Sequence, residues 1–282
     1  MADAGSNQVW RWLRRRFMPS SQDGESSAPA RRLVITRGDD CCGISDVGLV
    51  RPENEDAFFV APEQGLLVMA DGLGGHAAGE IASALAIESV CAAVESHRPH
   101  YDPAAVLDHA FAEADRTVRG RARQHPECAG MGATLIVGLI SCNELNLAHV
   151  GDVRAYHWHD GKLMRLTHDH TAVGRALRAG FINEDQARHH PARNQVDQAI
   201  GGISPVTPEH VHASLLAGDK LLLCSDGLWD EISHADIAAM LADSAPVLEL
   251  ATRLVDKAIA AGGNDNITAV VYRHRTIPKA EI

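Results

Sequence analysis

The sequence predicts an α+β fold built on antiparallel sheets. Strand-like apolar runs come in groups instead of alternating singly with helices, two helical pairs separate those groups, and the chain closes on a strand. With 282 residues, 45% of them hydrophobic, it can bury a substantial core.

The elements follow in order. Residues 1–31 differ in composition from the rest: "SSQDGESSAPARR" is a polar linker, and before it "VWRWLRRRF" (9–17) mixes aromatic residues with four arginines. That short basic segment is a candidate contact for an acidic membrane surface or a partner protein, set against a plain solubilising tail. "RLVITRGDD" and "ISDVGLVR" read as short strands, and "DAFFVAPEQGLLVMAD" as a hairpin turning at Pro62 to Gly65. Helices are expected near 77–96 and 103–124. "GATLIVGLIS", "ELNLAHVG", "VRAYHWHDG" and "KLMRLT" form a meander, with turns expected at Asn143-Glu144 and Asp160-Gly161. Residues 171–200 are polar, partly helical and rich in Arg and His. "HVHASLLAGDKLLLCSDG" returns to strands, helices follow near 233–242 and 246–261, and "NITAVVYRH" is the last strand.

Composition excludes several functions. A net charge of −11 argues against general nucleic-acid binding, which needs a basic face. No HExxH zinc helix, GxxxxGK[ST] phosphate loop or CxxxxxR nucleophile loop occurs. There is no apolar run of spanning length and no signal-peptide core, so a cytoplasmic protein is expected. The six cysteines form no CxxC pair and read as free thiols in a reducing compartment, with vicinal Cys41 and Cys42 expected at the surface.

What remains is a recurring pattern of acids at strand ends. "LLVMADGLGGHAAGE" runs apolar, stops at Asp71, and continues through four glycines within eight residues. Glycine permits a tight turn and lets a backbone carbonyl approach a ligand. "LLLCSDGLWD" stops at Asp226, "LNLAHVGD" at Asp152, "GGNDN" places Asp265 before the final strand, and "RPENEDAFF" places Glu55 and Asp56 before another. Like charges that converge in a core repel, and few lysines or arginines stand beside these acids in the sequence. Divalent cations with oxygen ligands, Mn²⁺ or Mg²⁺, answer that imbalance.

In order along the chain, "DVGLVRPENEDAF", "ADGLGGHAAGE", "GMGATL", "HVGDVRAY", "LTHDHT", "HPARN", "LLLCSDGLWD" and "GGNDNITAVV" resemble the motifs of the metal-dependent type 2C protein Ser/Thr phosphatases in their compact bacterial form. The resemblance covers about residues 43–273, and the ordered set is specific where a lone Asp-Gly carries nothing. It implies a four-layer αββα sandwich over residues 32–275, a flap at about 171–200, and a short tail at 276–282. It implies two metal ions, with Asp71 bridging them. The Gly72 carbonyl, Glu55 and, through water, Asp56 would complete one ion, and Asp226 and Asp265 would hold the other. Asp152 would serve a third, weaker ion, Arg51 would grip the substrate phosphate, and His76 would act as general acid.

Two departures stand out. Val153 follows Asp152 where the family often has Ser, and after "HPARN" the flap carries Asp197 and Gln198 where Thr and Arg are common, which touches substrate preference together with Arg193. The expected activity is hydrolysis of phosphoserine and phosphothreonine in proteins by a monomer that opposes a Ser/Thr kinase. The alternatives are a phosphatase-fold regulator or a pseudoenzyme that binds a phosphoprotein without turnover.

Overall fold

The computed structural model describes residues 31–74, 78–97 and 102–275. The 9–17 segment, His76 and the 276–282 tail lie outside the described residues.

Two antiparallel sheets stack face to face. One has six strands in the order β1 (Arg32–Arg37), β2 (Cys41–Asp46), β13 (Ile267–Arg273), β12 (Lys220–Cys224), β9 (Arg154–His159) and β10 (Lys162–Arg165). The other has five, in the order β11 (Glu209–Ser214), β8 (Glu144–Val150), β7 (Leu135–Ser141), β4 (Leu66–Ala70) and β3 (Ala57–Ala61). Helices α1 (Ala78–His97) and α2 (Pro103–Gln124) pack on the five-stranded sheet. Helices α6 (His234–Ala242) and α7 (Val247–Ala261) pack on the six-stranded one. The expected four-layer αββα sandwich is therefore the observed architecture.

Strand composition explains the layering. Both faces of each sheet are covered, so the central strands are apolar at every position. In β4, Leu66 and Val68 face α1 and α2, while Leu67 and Met69 enter the core between the sheets. In β12, Leu222 meets the α7 residues Leu250 and Leu254, and Leu221 and Leu223 face the other sheet. α2 starts where Asp102 accepts a hydrogen bond from the Ala104 amide and Pro103 takes the first helical position. α6 starts where the Ser233 hydroxyl accepts one from the Asp236 amide at 3.1 Å.

The strands and main helices fall close to where the sequence places them, with five corrections. The strand expected in "ISDVGLVR" starts earlier, at Cys41, and ends at Asp46, with a turn over 48–50. The expected meander is split: β7 pairs with β8 in the five-stranded sheet, whereas β9 and β10 belong to the six-stranded one, where β9 pairs with β12. The β7–β8 turn is Cys142-Asn143, because Ser141 pairs with Glu144; Cys142 takes the positive φ of 54° that the tight hairpin requires. Cys41 and Cys42 are fully buried instead of at the surface, since β2 is hydrogen-bonded on both sides, to β1 and β13. Strand alternation turns one thiol into the inter-sheet core and the other toward the helices, and burial pushes them up to about 12 and about 11. Finally, the chain after β12 forms a short helix, α5 (Asp226–Trp229), and β5 (Gly72–Leu73) pairs with β6 (Gly132–Ala133) as a separate ribbon; neither shows in the apolar pattern. All six cysteines are free. No helix among the described residues is long and apolar enough to cross a membrane.

One contact between the sheets leaves no room for a side chain. The buried Phe58 ring of β3 lies against the backbone of Gly43 in β2, where an added Cβ would overlap the ring. Gly43→Ala should therefore lower unfolding stability by about 1–3 kcal/mol, as overpacked cores do. Denaturant unfolding checks this, and an unchanged midpoint would contradict it.

Candidate active site

The strand-end acids meet at one end of the sandwich. Asp71 follows β4, Asp226 follows β12 after Ser225, Asp152 lies between β8 and β9, Asp265 precedes β13, and Glu55 and Asp56 precede β3. Each is fixed by contacts that the apolar pattern does not reveal.

Asn266 sits at the centre. Its side-chain oxygen accepts from the Glu55 amide at 2.8 Å, and its NH₂ donates to the carbonyls of Val47 and Glu53 at 3.0 and 2.9 Å. It thus shapes the loop that carries Glu55, beyond its own local turn, where its backbone amide donates to Asp265 Oδ1 at 2.8 Å. The Glu55 carbonyl in turn accepts from the Gly72 amide at 3.2 Å and from the Ser83 hydroxyl at 2.6 Å. Gly79, on the first turn of α1, leaves the space that the Glu55 carboxylate fills: an added Cβ there would stand 2.6 Å from the carboxyl carbon. Thr134 receives the Asp71 amide on its hydroxyl at 3.2 Å and donates its own amide to the Asp71 carbonyl at 2.9 Å.

Asp56 is the most deeply held. One carboxylate oxygen accepts from the hydroxyls of Ser225 (2.8 Å) and Thr268 (2.6 Å). The other, Oδ1, is buried and has no hydrogen-bond partner. Sequence reasoning misses this hydroxyl shelf, although "CSDG" and "NIT" place a Ser and a Thr at the ends of neighbouring strands β12 and β13.

The electrostatics follow from this packing. Burial, then Asp226 and Asp265, outweigh the two hydroxyl donors and push Asp56 up to about 8. Burial and then the neighbouring Asp169 raise Asp152 to about 7. Burial together with Asp56, Asp226, Asp152 and Asp265 holds Asp71 well above the usual carboxylate range. Burial, Asp152, Asp265 and Asp230 do the same to Asp226. Glu55 is raised by burial, against the pull of Arg51. Arg51 is exposed and pairs through Nη2 with Asp265 Oδ2 at 2.6 Å. The donors are all oxygens, burial and neighbouring acids raise the proton affinity of Asp56, Asp71, Asp152 and Asp226, and one buried oxygen is unsatisfied. That set fits hard divalent cations.

The 171–200 excursion carries α3 (Ala172–Arg178) and α4 (Glu184–Arg188) and is closed at its base by a Thr171–Val196 bridge. His170 donates its amide to the Gly151 carbonyl at 2.9 Å, and the buried His149 donates Nε2–H to the His168 carbonyl at 2.9 Å. These histidines thus fasten the excursion beside Asp152. Arg193 reaches Asp230 at 3.1 Å, one residue past α5. Asp197 and Gln198 hold the excursion to itself and its exit: Asp197 pairs with Arg175, and the Gln198 side-chain oxygen accepts from the Thr207 amide at 3.1 Å. Asp152 carries Trp229 on its carbonyl, through the indole N–H at 3.1 Å. Val153 is wholly buried in the inter-sheet core, where a Ser hydroxyl would need a partner.

Comparisons with known proteins point to one family. The family model described as protein phosphatase 2C matches residues 52–264. The chain is 40% identical over 227 residues to the serine/threonine protein phosphatase PstP of Mycobacterium tuberculosis, a match covering 80% of this chain and 43% of that protein. This chain therefore spans less than half of that relative's length. It is 30% identical over 241 residues to the serine/threonine phosphatase stp of Listeria innocua, covering 83% of this chain and 96% of that one. The crystal structure of the PstP catalytic domain in complex with two manganese ions superposes with a TM-score of 0.74 at 37% identity, covering 83% of this chain and 96% of that one. With the fold, the acid cluster and these likenesses in agreement, the chain belongs to the protein phosphatase 2C family of serine/threonine phosphatases.

Proposed function

We propose that this chain hydrolyses phosphoserine and phosphothreonine esters of proteins, using two Mn²⁺ or Mg²⁺ ions held at the strand-end acids. The observation that carries the reading is the convergence of Asp56, Asp71, Asp226 and Asp265 with a buried carboxylate oxygen left unsatisfied. Asp71 would bridge the ions; the Gly72 carbonyl, Glu55 and Asp56 through water would hold one, and Asp226 and Asp265 the other. Asp152 would serve a third, weaker ion. When bound, such ions offset the charge of the phosphate dianion and make water a competent nucleophile near neutral pH.

The chain's own residues do the rest. Arg51 is partly exposed, as is its partner Asp265, so their ion pair is worth no more than about 1 kcal/mol and the guanidinium can transfer to a substrate phosphate. It would clamp two phosphate oxygens at once. His76 is the proposed donor to the leaving serine or threonine oxygen. Asp197 and Gln198 would act on substrates by setting how the flap closes, since Asp197 pairs with Arg175 within the flap and Gln198 accepts from the Thr207 amide beyond it. The free buried thiols support a reducing, cytoplasmic setting, and a Ser/Thr kinase is the proposed opponent. A monomer, with residues 9–17 as a membrane or partner contact, completes the proposal.

Hydrolysis of p-nitrophenyl phosphate tests the reading: it should require Mn²⁺ or Mg²⁺ and vanish in EDTA. Undiminished turnover in EDTA, or none with any divalent cation, would refute it. Asp71→Asn and Asp226→Asn should each lower kcat at least about a hundredfold at saturating Mn²⁺, since each removes a charged ligand. Rates near those of the unaltered protein would remove that residue from the metal site. Arg51→Ala should raise KM about tenfold with little change in kcat, as loss of a ground-state grip does. A fall in kcat at constant KM would assign the arginine to the transition state instead.

A further inference from the structure

A cavity of about 610 Å³ lies between the flap and the six-stranded sheet, next to the acid cluster. Among the described residues, Arg154, Arg165, Arg188 and Arg193 line it against two carboxylates, Asp169 and Asp230. The cavity thus carries an excess of two positive charges, in a chain whose net charge is −11.

Three of the four arginines are fixed by partners. Arg154 grips Asp169 with two hydrogen bonds, at 3.1 and 2.7 Å, and its guanidinium lies 3.4 Å over the centre of the Trp229 ring. Arg165 shares the same carboxylate, and Arg193 is tied to Asp230. Arg188, on the flap helix α4, is exposed and makes no ion pair with any described residue. Three fixed cations and one unpaired one therefore face a single space, an arrangement suited to binding a carboxylate or phosphate.

The cavity also has a fixed relation to the catalytic end. Trp229, part of its wall, hydrogen-bonds the Asp152 carbonyl. Asp230, another wall residue, follows Asp226 by one helical turn, about 6 Å along a helix. An extended peptide advances about 3.3 Å per residue. A segment of two to four extended residues thus spans about 7–13 Å, enough to cover that separation.

Building on the phosphatase reading above, we propose that this cavity is a subsite for a second anionic side chain of the substrate, glutamate, aspartate or a second phosphoresidue. The enzyme accordingly prefers acidic or multiply phosphorylated segments. Near the acid cluster such a segment would otherwise be repelled, and the arginines offset that repulsion.

The test uses the full chain with saturating Mn²⁺ and synthetic phosphothreonine peptides. These carry Glu, a second phosphothreonine or Gln at about two to four residues on either side. The unaltered protein should show kcat/KM about tenfold higher for an anionic peptide than for its Gln counterpart, the scale of one charge-assisted hydrogen bond. Arg188→Gln should remove most of that ratio, and Arg188→Glu should invert it. Equal rates on all peptides, or a ratio that survives Arg188→Glu, would overturn the subsite. Turnover of p-nitrophenyl phosphate by the unaltered protein separates the two failures. Its absence would defeat the phosphatase reading, whereas its presence without a peptide preference would defeat the subsite alone.

Discussion

Mutual repulsion among carboxylates gathered at one end of a buried sandwich is the constraint on which the rest of this structure depends. Asp56 and Asp152 are almost wholly removed from water, and burial with the neighbouring acids holds both Asp71 and Asp226 well above the usual carboxylate range. Such a cluster opposes folding unless protons or cations neutralise it. The fold must therefore supply more than a core: it must hold acids together that would separate if free to move.

It does so with short polar elements attached to long apolar ones. Asn266 ties the Glu55 loop to the start of β13, Ser225 and Thr268 place a hydroxyl shelf under Asp56, and Thr134 locks the chain at Asp71. Glycines provide room where these segments touch. At Gly227 an added Cβ would overlap the Asn266 carbonyl, and at Gly79 it would overlap the Glu55 carboxylate. The two sheets act as a rigid frame, and the acids are mounted at the strand ends, where the backbone leaves the ladder. Beside them the flap is pinned by histidine and arginine contacts and encloses the basic cavity. The acid-bearing end is thus negative at its centre and positive at one flank.

Much of this was legible in the sequence. Strands such as β4 and β12 announce themselves as apolar runs because both faces are covered, and each acid at a run's end marks where the strand leaves the core. The helices over 103–124 and 234–242 carry their own start signals, Asp102-Pro103 and Ser233. What the sequence hides is what depends on partners distant along the chain. That Cys41 and Cys42 are buried follows from β13 pairing with β2, a contact more than two hundred residues apart in sequence. The role of Asn266 follows from the Glu55 loop lying across it, and the arginine-lined cavity from the flap folding over Trp229. The turn at Cys142-Asn143 escaped because a cysteine at positive φ is unusual, so Asn143 looked the better turn centre.

The most direct measurement is the thermal stability of the metal-free protein against pH. Burial and repulsion raise Asp56 to about 8 and Asp152 to about 7, whereas in the unfolded chain an aspartate titrates near 3.9. Between those limits the folded state binds more protons. The stability these groups contribute is fully present below their unfolded pKa and is lost as pH rises through the folded values. In EDTA, Tm should therefore fall as pH rises from about 4 to about 8, the window between the unfolded and folded values. Saturating Mn²⁺ should remove the fall and raise Tm most at the alkaline end. A Tm in EDTA that stays level or rises over that range, and does not respond to Mn²⁺, would contradict the claim that this fold holds an acid cluster built to be neutralised by cations.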